Sequence, residues 1–263
     1  FKLKSYGKNY DKYLATEKKG KYINLDFAYL QELSTLDMHL RKTILSMALD
    51  IEHALKTQLL LDLSQNDSED GYAIVKQYLD NDYTRLKSLY DKIGKSAASD
   101  LIQKRKDTGD NYALWELVEV MSFGTLSKLI KNLKTGNGSS YSVFAENYKY
   151  LTSRGNNVKP SLDMLSSWIH TVSIVRNMCA HNSRLYNRTI HTSPEIIAID
   201  RSGSAPVHCG LYQVLLAMKY IRPTDKNWNE FVDAFKNLLT KYNGSVSLTA
   251  MNLPADWESH LRV

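Results

Sequence analysis

The sequence has only 2 cysteines in 263 residues, 5 prolines and 12 glycines, and it has no apolar run long enough to span a membrane. Cys179 and Cys209 form no CxxC pair and cannot build a disulfide framework, which fits a reducing compartment. His181 lies near Cys179 and His208 precedes Cys209, but no four-ligand set with zinc spacing stands out, so no metal or cofactor is expected. With no secretory leader visible, the expected location is the cytoplasm, without membrane attachment. The chain begins at Phe1 rather than Met, so a leading segment is expected ahead of it.

Few breakers leave long stretches of helical spacing, and the expected fold class is all-α. From Asp26 to Leu63, Leu33, Leu36, Leu40, Ile44, Met47, Ile51 and Ala54 recur at intervals of three and four. That is one long amphipathic helix, capped by Asp26 and ending near Ser64-Gln65-Asn66. Further helices are expected over Tyr112–Leu133, Tyr141–Leu151, Ser161–Arg188, His208–Ile221 and Asn227–Tyr242. The breaks between them are Thr135-Gly136-Asn137-Gly138, a polar loop through Gly155, Asn156, Asn157 and Pro160, a loop with Pro194, Gly203 and Pro206, and Pro223. The expected organisation is a basic arm over 1–25 and one helical domain over 26–263, with a helical insert at about 64–110 that shows no chemistry of its own.

The net charge is +6. Between Lys131 and Ile190 stand eight bases (Lys131, Lys134, Lys149, Arg154, Lys159, Arg176, Arg184, Arg188) against two acids, an excess equal to that of the whole chain. Such a stretch can neutralise phosphates through counterion release, or can simply be a solvated basic surface. On a helix from Ser161 to Arg188, Trp168, Val172, Val175, Cys179 and Tyr186 fall on one side. His170, Ser173, Asn177, His181, Arg184 and Arg188 fall on the other.

Arg176 and His181 enclose four residues. A guanidinium binds phosphate through a fork of donors and can hold charge developing on phosphorus. An imidazole can take or give a proton near neutral pH, and RNA supplies its own 2′-hydroxyl nucleophile. A surface histidine beside an ion-paired arginine is the alternative reading of the same two residues.

Two blocks carry a family resemblance. The run Arg176-Asn177-Met178-Cys179-Ala180-His181-Asn182-Ser183-Arg184-Leu185-Tyr186-Asn187-Arg188 resembles the signature of Abi-like abortive-infection proteins of the AbiD/AbiF type. The run Trp115 to Ser127, with Glu119 and Ser122-Phe123-Gly124-Thr125-Leu126-Ser127, is similar to a second block of that family. Echoes at Leu36-Asp37, Leu40-Arg41 and Ile51-Glu52, at Met251 to Trp257, and at Phe1 to Tyr6 extend the resemblance over nearly the whole chain.

The resemblance implies a HEPN-type helical bundle with additional helices, and a phage-defence protein that cuts RNA without metal. It makes Arg176, His181 and Asn177 the catalytic positions. Because such enzymes pair two motifs and this chain has one clear copy, it also implies a homodimer. It further suggests a small RNA as controlling partner. The RNA-binding candidates are Arg184, Arg188, Lys131, Lys134, Arg154 and Lys159, and Glu52, Asp37 and Arg41 are candidates for a supporting shell around Arg176. Glu119, Ser122 and Thr125 are weaker candidates, and Phe123-Gly124 is read as close helix packing. His170 and Ser173 become site neighbours if a dimer encloses their face. A HEPN module that grips a structured small RNA without cutting it is the alternative. A toxin regulated by nucleotidylation, with Tyr186 as acceptor, is a third.

Overall fold

The computed structural model describes residues 14, 19–23, 26–66, 113–131, 144–201 and 209–263. The expected basic arm and insert, Lys134, the Thr135–Gly138 turn and His208 lie largely or wholly outside these residues.

The fold is predominantly helical. Helix α1 spans Phe27–Asn66, and Asp26 begins it as expected, its Oδ1 accepting the Ala28 N–H at 2.9 Å. Leu33, Leu36, Leu40, Ile44, Met47 and Ile51 are buried along one stripe. The helix expected over Tyr112–Leu133 is two helices: α2, Leu114–Val120, and α3, Phe123–Lys131. The break falls at Met121, which is extended, and at Ser122. The Ser122 hydroxyl accepts the Thr125 N–H at 3.2 Å, so it starts a new helix rather than continuing the old one. Phe123 is fully buried, but a side chain added at Gly124 would meet open space, so close packing at that glycine is not found.

Of the aromatic helix expected over Tyr141–Leu151, the described residues 144–146 are helical and the chain leaves the helix through a turn at 147–148, after which the polar loop forms a hairpin. Strands β1, Tyr150–Leu151, and β2, Asn157–Val158, pair antiparallel with Tyr150 opposite Val158. Gly155 sits at φ 77°, a left-handed conformation that closes the turn.

Helix α4, Leu162–Ala180, follows, with the Ser161 hydroxyl accepting the Met164 N–H at 3.2 Å, as its sequence predicts. It packs against α1, α3 and α5, so it stands at the centre of the molecule. Trp168, Ile169, Val172 and Val175 are fully buried on it. Helices α5, Leu211–Tyr220, and α6, Asp225–Lys241, flank the break at Pro223, and α6 packs on α1. Helix α7, Trp257–Leu261, closes the chain, and the Trp228 indole N–H donates to the Leu261 carbonyl at 2.6 Å. Among the described residues, no helix is long and apolar enough to cross a membrane.

Candidate functional site

Helix α4 was expected to run to about Arg188 but ends at Ala180. Asn182 takes φ 54°, its N–H donates to the Cys179 carbonyl at 3.0 Å, and the Ser183 N–H donates to the Met178 carbonyl at 2.8 Å. These bonds form a Schellman stop, in which asparagine takes the left-handed position more often filled by glycine. His181 is therefore the last residue before the chain turns away, and it is exposed. Arg184 and Arg188 do not share the helix face with His181. They lie in the loop beyond it, where the Arg188 guanidinium reaches the Arg184 carbonyl at 3.4 Å.

That loop is tied to α1 by a fully buried carboxylate. Asp37 Oδ1 accepts the backbone N–H groups of Leu185 at 2.9 Å and Tyr186 at 2.7 Å, while Oδ2 accepts from Arg41. Thus Asp37 and Arg41 act on the segment after His181 rather than on Arg176. Leu185 and Tyr186 are buried.

Glu52, about four turns beyond Asp37 along α1, does meet Arg176. The Arg176 Nε and Glu52 Oε2 atoms lie 3.2 Å apart as an ion pair, without the alignment of a hydrogen bond. The other Glu52 oxygen is 3.4 Å from Lys56 Nζ. Arg176 Nη1 donates to Asn177 Oδ1 at 3.1 Å, and Nη2 makes no hydrogen bond among the described residues. The guanidinium is held on two edges and keeps a donor edge for a ligand. Arg176 is half-buried and Asn177 exposed.

Cys179 lies between these residues on the packed side. Burial pushes its thiol up to about 12, with Arg41 lowering it and Asp37 raising it by smaller amounts. It is thus a neutral thiol near pH 7, unsuited to act as a nucleophile or metal ligand in that form. Among the described residues no group of three His, Cys, Asp or Glu side chains is placed to hold a metal ion.

The remaining basic candidates are elsewhere. Lys159 pairs with Glu146 at 3.1 Å beside the hairpin, Arg154 is on the hairpin turn, and Lys131 ends α3. Lys131 lines a groove with Ser127, Lys128, Asp163 and His170, on the N-terminal half of α4. One basic stretch in sequence is therefore two groups in space, at opposite ends of a helix about 27 Å long. Ser173 turns its hydroxyl back to the His170 carbonyl at 2.8 Å, and Glu119 is exposed on α2. Ser122 and Thr125 serve the α3 cap rather than this site.

The direct Glu52 contact was legible only as helix spacing and a resemblance. The double backbone contact of Asp37 had no sequence signal beyond an acid at an otherwise apolar face. What these groups define is a helical protein that presents an exposed imidazole and a braced guanidinium at the end of its central helix. The Abi-like protein family matches residues 1–187, and the chain belongs to that family. No curated protein and no solved structure matches it. Membership points to abortive-infection defence against phage. The match stops short of Met251 to Trp257, so the echo seen there lies outside it.

Proposed function

We propose that the chain is a HEPN-type, metal-independent endoribonuclease of the AbiD/AbiF kind, cutting RNA at Arg176 and His181. The observation that carries this reading is Arg176, braced by Glu52 and Asn177 with one edge open, a helical turn or so from exposed His181. The His181 imidazole takes the proton of a ribose 2′-hydroxyl, whose oxygen attacks the adjacent phosphorus. Arg176 binds the non-bridging oxygens as charge builds on them. The bond from phosphorus to the 5′-oxygen breaks, and a second imidazole returns a proton to that oxygen. The products are a 2′,3′-cyclic phosphate and a 5′-hydroxyl end.

The second imidazole is His181 of a second copy. Exposed Met38 and Leu49 and half-buried Leu45 share one side of α1 with Glu52 and Lys56, an apolar stripe that leads to the site. It suits a homodimer that brings two sites together. A small RNA held by this basic chain is the proposed control. The alternative, binding such an RNA without cutting, uses the same donor edge of Arg176. Nucleotidylation at Tyr186 gains no support, because that residue is buried and its hydroxyl accepts the Ser247 N–H at 3.0 Å.

The test is cleavage of end-labelled RNA in EDTA by the wild-type chain, before and after a high-salt wash that strips any bound nucleic acid. His181→Ala is expected to slow cleavage by roughly 100-fold or more. Equal, undiminished RNA in both reactions would sink the enzyme reading, and a tight salt-sensitive complex in that case would favour the binding module.

A further inference from the structure

At the other end of α4 a cavity of about 510 Å³ opens between the β1–β2 hairpin and the segment 195–201. Its volume falls within the ~300–1,000 Å³ common for small-ligand sites. Tyr150, Val158, Met164, Ile196 and Ile197 supply an apolar wall. Tyr150 is fixed against it, meeting Trp168 edge-on at 6.1 Å, with its hydroxyl 3.6 Å from the Met164 sulfur. Exposed Arg154, Glu195 and Arg201 stand at the mouth, an excess of one positive charge.

Hydrogen bonds within the protein fix the backbone at Arg154 and the side chain of Arg201. The Gly155 N–H donates to the Thr152 carbonyl at 2.9 Å, and the Asn156 N–H to the Thr152 hydroxyl at 3.2 Å, so Arg154 occupies a tight turn that a left-handed glycine closes. Arg201 donates its Nε to the Ile196 carbonyl at 3.1 Å, which turns the guanidinium across the cavity wall and keeps its terminal nitrogens available. Among the described residues neither arginine forms an ion pair. An apolar and aromatic wall beside two unpaired guanidinium groups matches a ligand that joins a flat ring to a phosphate.

We infer that this cavity is a nucleotide-binding pocket, seating a base against Tyr150, Met164 and Ile197 and a phosphate on Arg154 and Arg201. Met164 and His181 are 17 positions apart, about 25 Å along α4, so the pocket is separate from the Arg176 and His181 site. Its occupant is a nucleotide of the RNA strand whose cleavage is proposed above, and only that source rests on the nuclease reading. Holding one base far from the scissile bond lets the protein choose where along a strand it cuts.

The experiment uses the full chain carrying His181→Ala, so that RNA stays intact during titration. Calorimetry measures binding of nucleoside 5′-monophosphates and inorganic phosphate, and fluorescence polarisation measures binding of a labelled single-stranded octanucleotide. Two further proteins carry R154E with R201E, or Ala198→Trp, which fills the cavity from its exposed wall without changing charge. Circular dichroism melts check that each is folded. Each change is expected to weaken binding by about tenfold or more, the scale of one lost charge-assisted contact, and inorganic phosphate should bind about tenfold more weakly than a nucleotide.

Loss with both mononucleotide and octanucleotide places recognition in the single unit. Loss with the octanucleotide alone places it in the strand. Equal binding by all three proteins, no binding by any, or weakening by charge reversal but not by Ala198→Trp would overturn the pocket. If the chain with native His181 cleaves RNA while the pocket variants bind as before, the pocket falls and the nuclease stands. If nucleotides bind through the pocket but nothing is cleaved, the nuclease falls and the pocket stands.

Discussion

Asp37 accepts the backbone N–H of Tyr186 at 2.7 Å across 149 positions of sequence, from a side chain with no solvent exposure. The same oxygen takes the Leu185 N–H. Inside a continued α4, those two N–H groups would have bonded to the carbonyls of His181 and Asn182. The carboxylate replaces two helical bonds, and in doing so helps to leave His181 at a helix end facing solvent.

Removing that acceptor should therefore be costly. Asp37→Ala strands two buried N–H groups and the Arg41 guanidinium, and urea unfolding is expected to show a loss of about 3–5 kcal/mol. Asp37→Ala with Arg41→Ala should cost less than the sum of the single changes, since the double variant leaves no uncompensated charge. Additive losses would show that the pair does not act as a unit.

Glu52 is a positioning residue for Arg176 in the proposed reaction. Glu52→Gln keeps the shape but removes the charge that faces Arg176 and Lys56. RNA cleavage should fall by about tenfold while RNA affinity rises or holds, because the site becomes more positive. A merely structural role would lower both together, together with the melting temperature. Glu52→Asp, which keeps the charge on a shorter arm, should recover part of the rate.

The stop at Asn182 predicts an unusual order of substitutions. At φ 54°, Asn182→Gly should be neutral or slightly stabilising, whereas Asn182→Ala should cost about 1 kcal/mol. Thermal unfolding of the two variants checks this. Equal melting temperatures would mean that the left-handed turn is not held in solution.

Alkaline pH should weaken the fold through buried Cys179 and half-buried Cys209. Burial pushes Cys179 from an ordinary value of 9.0 up to about 12 and Cys209 up to about 11. The unfolded chain loses these protons first, so the stability they supply is complete below pH 9 and is lost progressively as pH rises through the folded values. At pH 8 a thiol-reactive dye should label half-buried Cys209 before Cys179, and both at once after unfolding. Rapid labelling of Cys179 in the native protein would contradict the packing of α4.

Much of this fold was legible along the chain because helices are local. Three- and four-residue spacing marked α1, Asp26 and Ser161 marked helix starts, and Pro223 marked the break before α6. Spacing could not distinguish one helix from two across Ser122, since a serine is tolerated inside a helix and favoured at its cap. Nor could it show that Tyr150 pairs with Val158 rather than continuing an aromatic helix, because strands this short carry too little alternation to be read.

For the site, the sequence by itself determined which groups are present: Arg176, Asn177 and His181 in one run, and acids on α1 at 37 and 52. Only the tertiary structure decided their roles. It gave Glu52 to the guanidinium and Asp37 to the backbone beyond His181, and it divided the basic stretch between the two ends of α4. The physical reason is that a charge on a long helix can find many partners, and nothing within a few residues of Asp37 distinguishes a surface ion pair from an anchor for a chain segment 149 positions away.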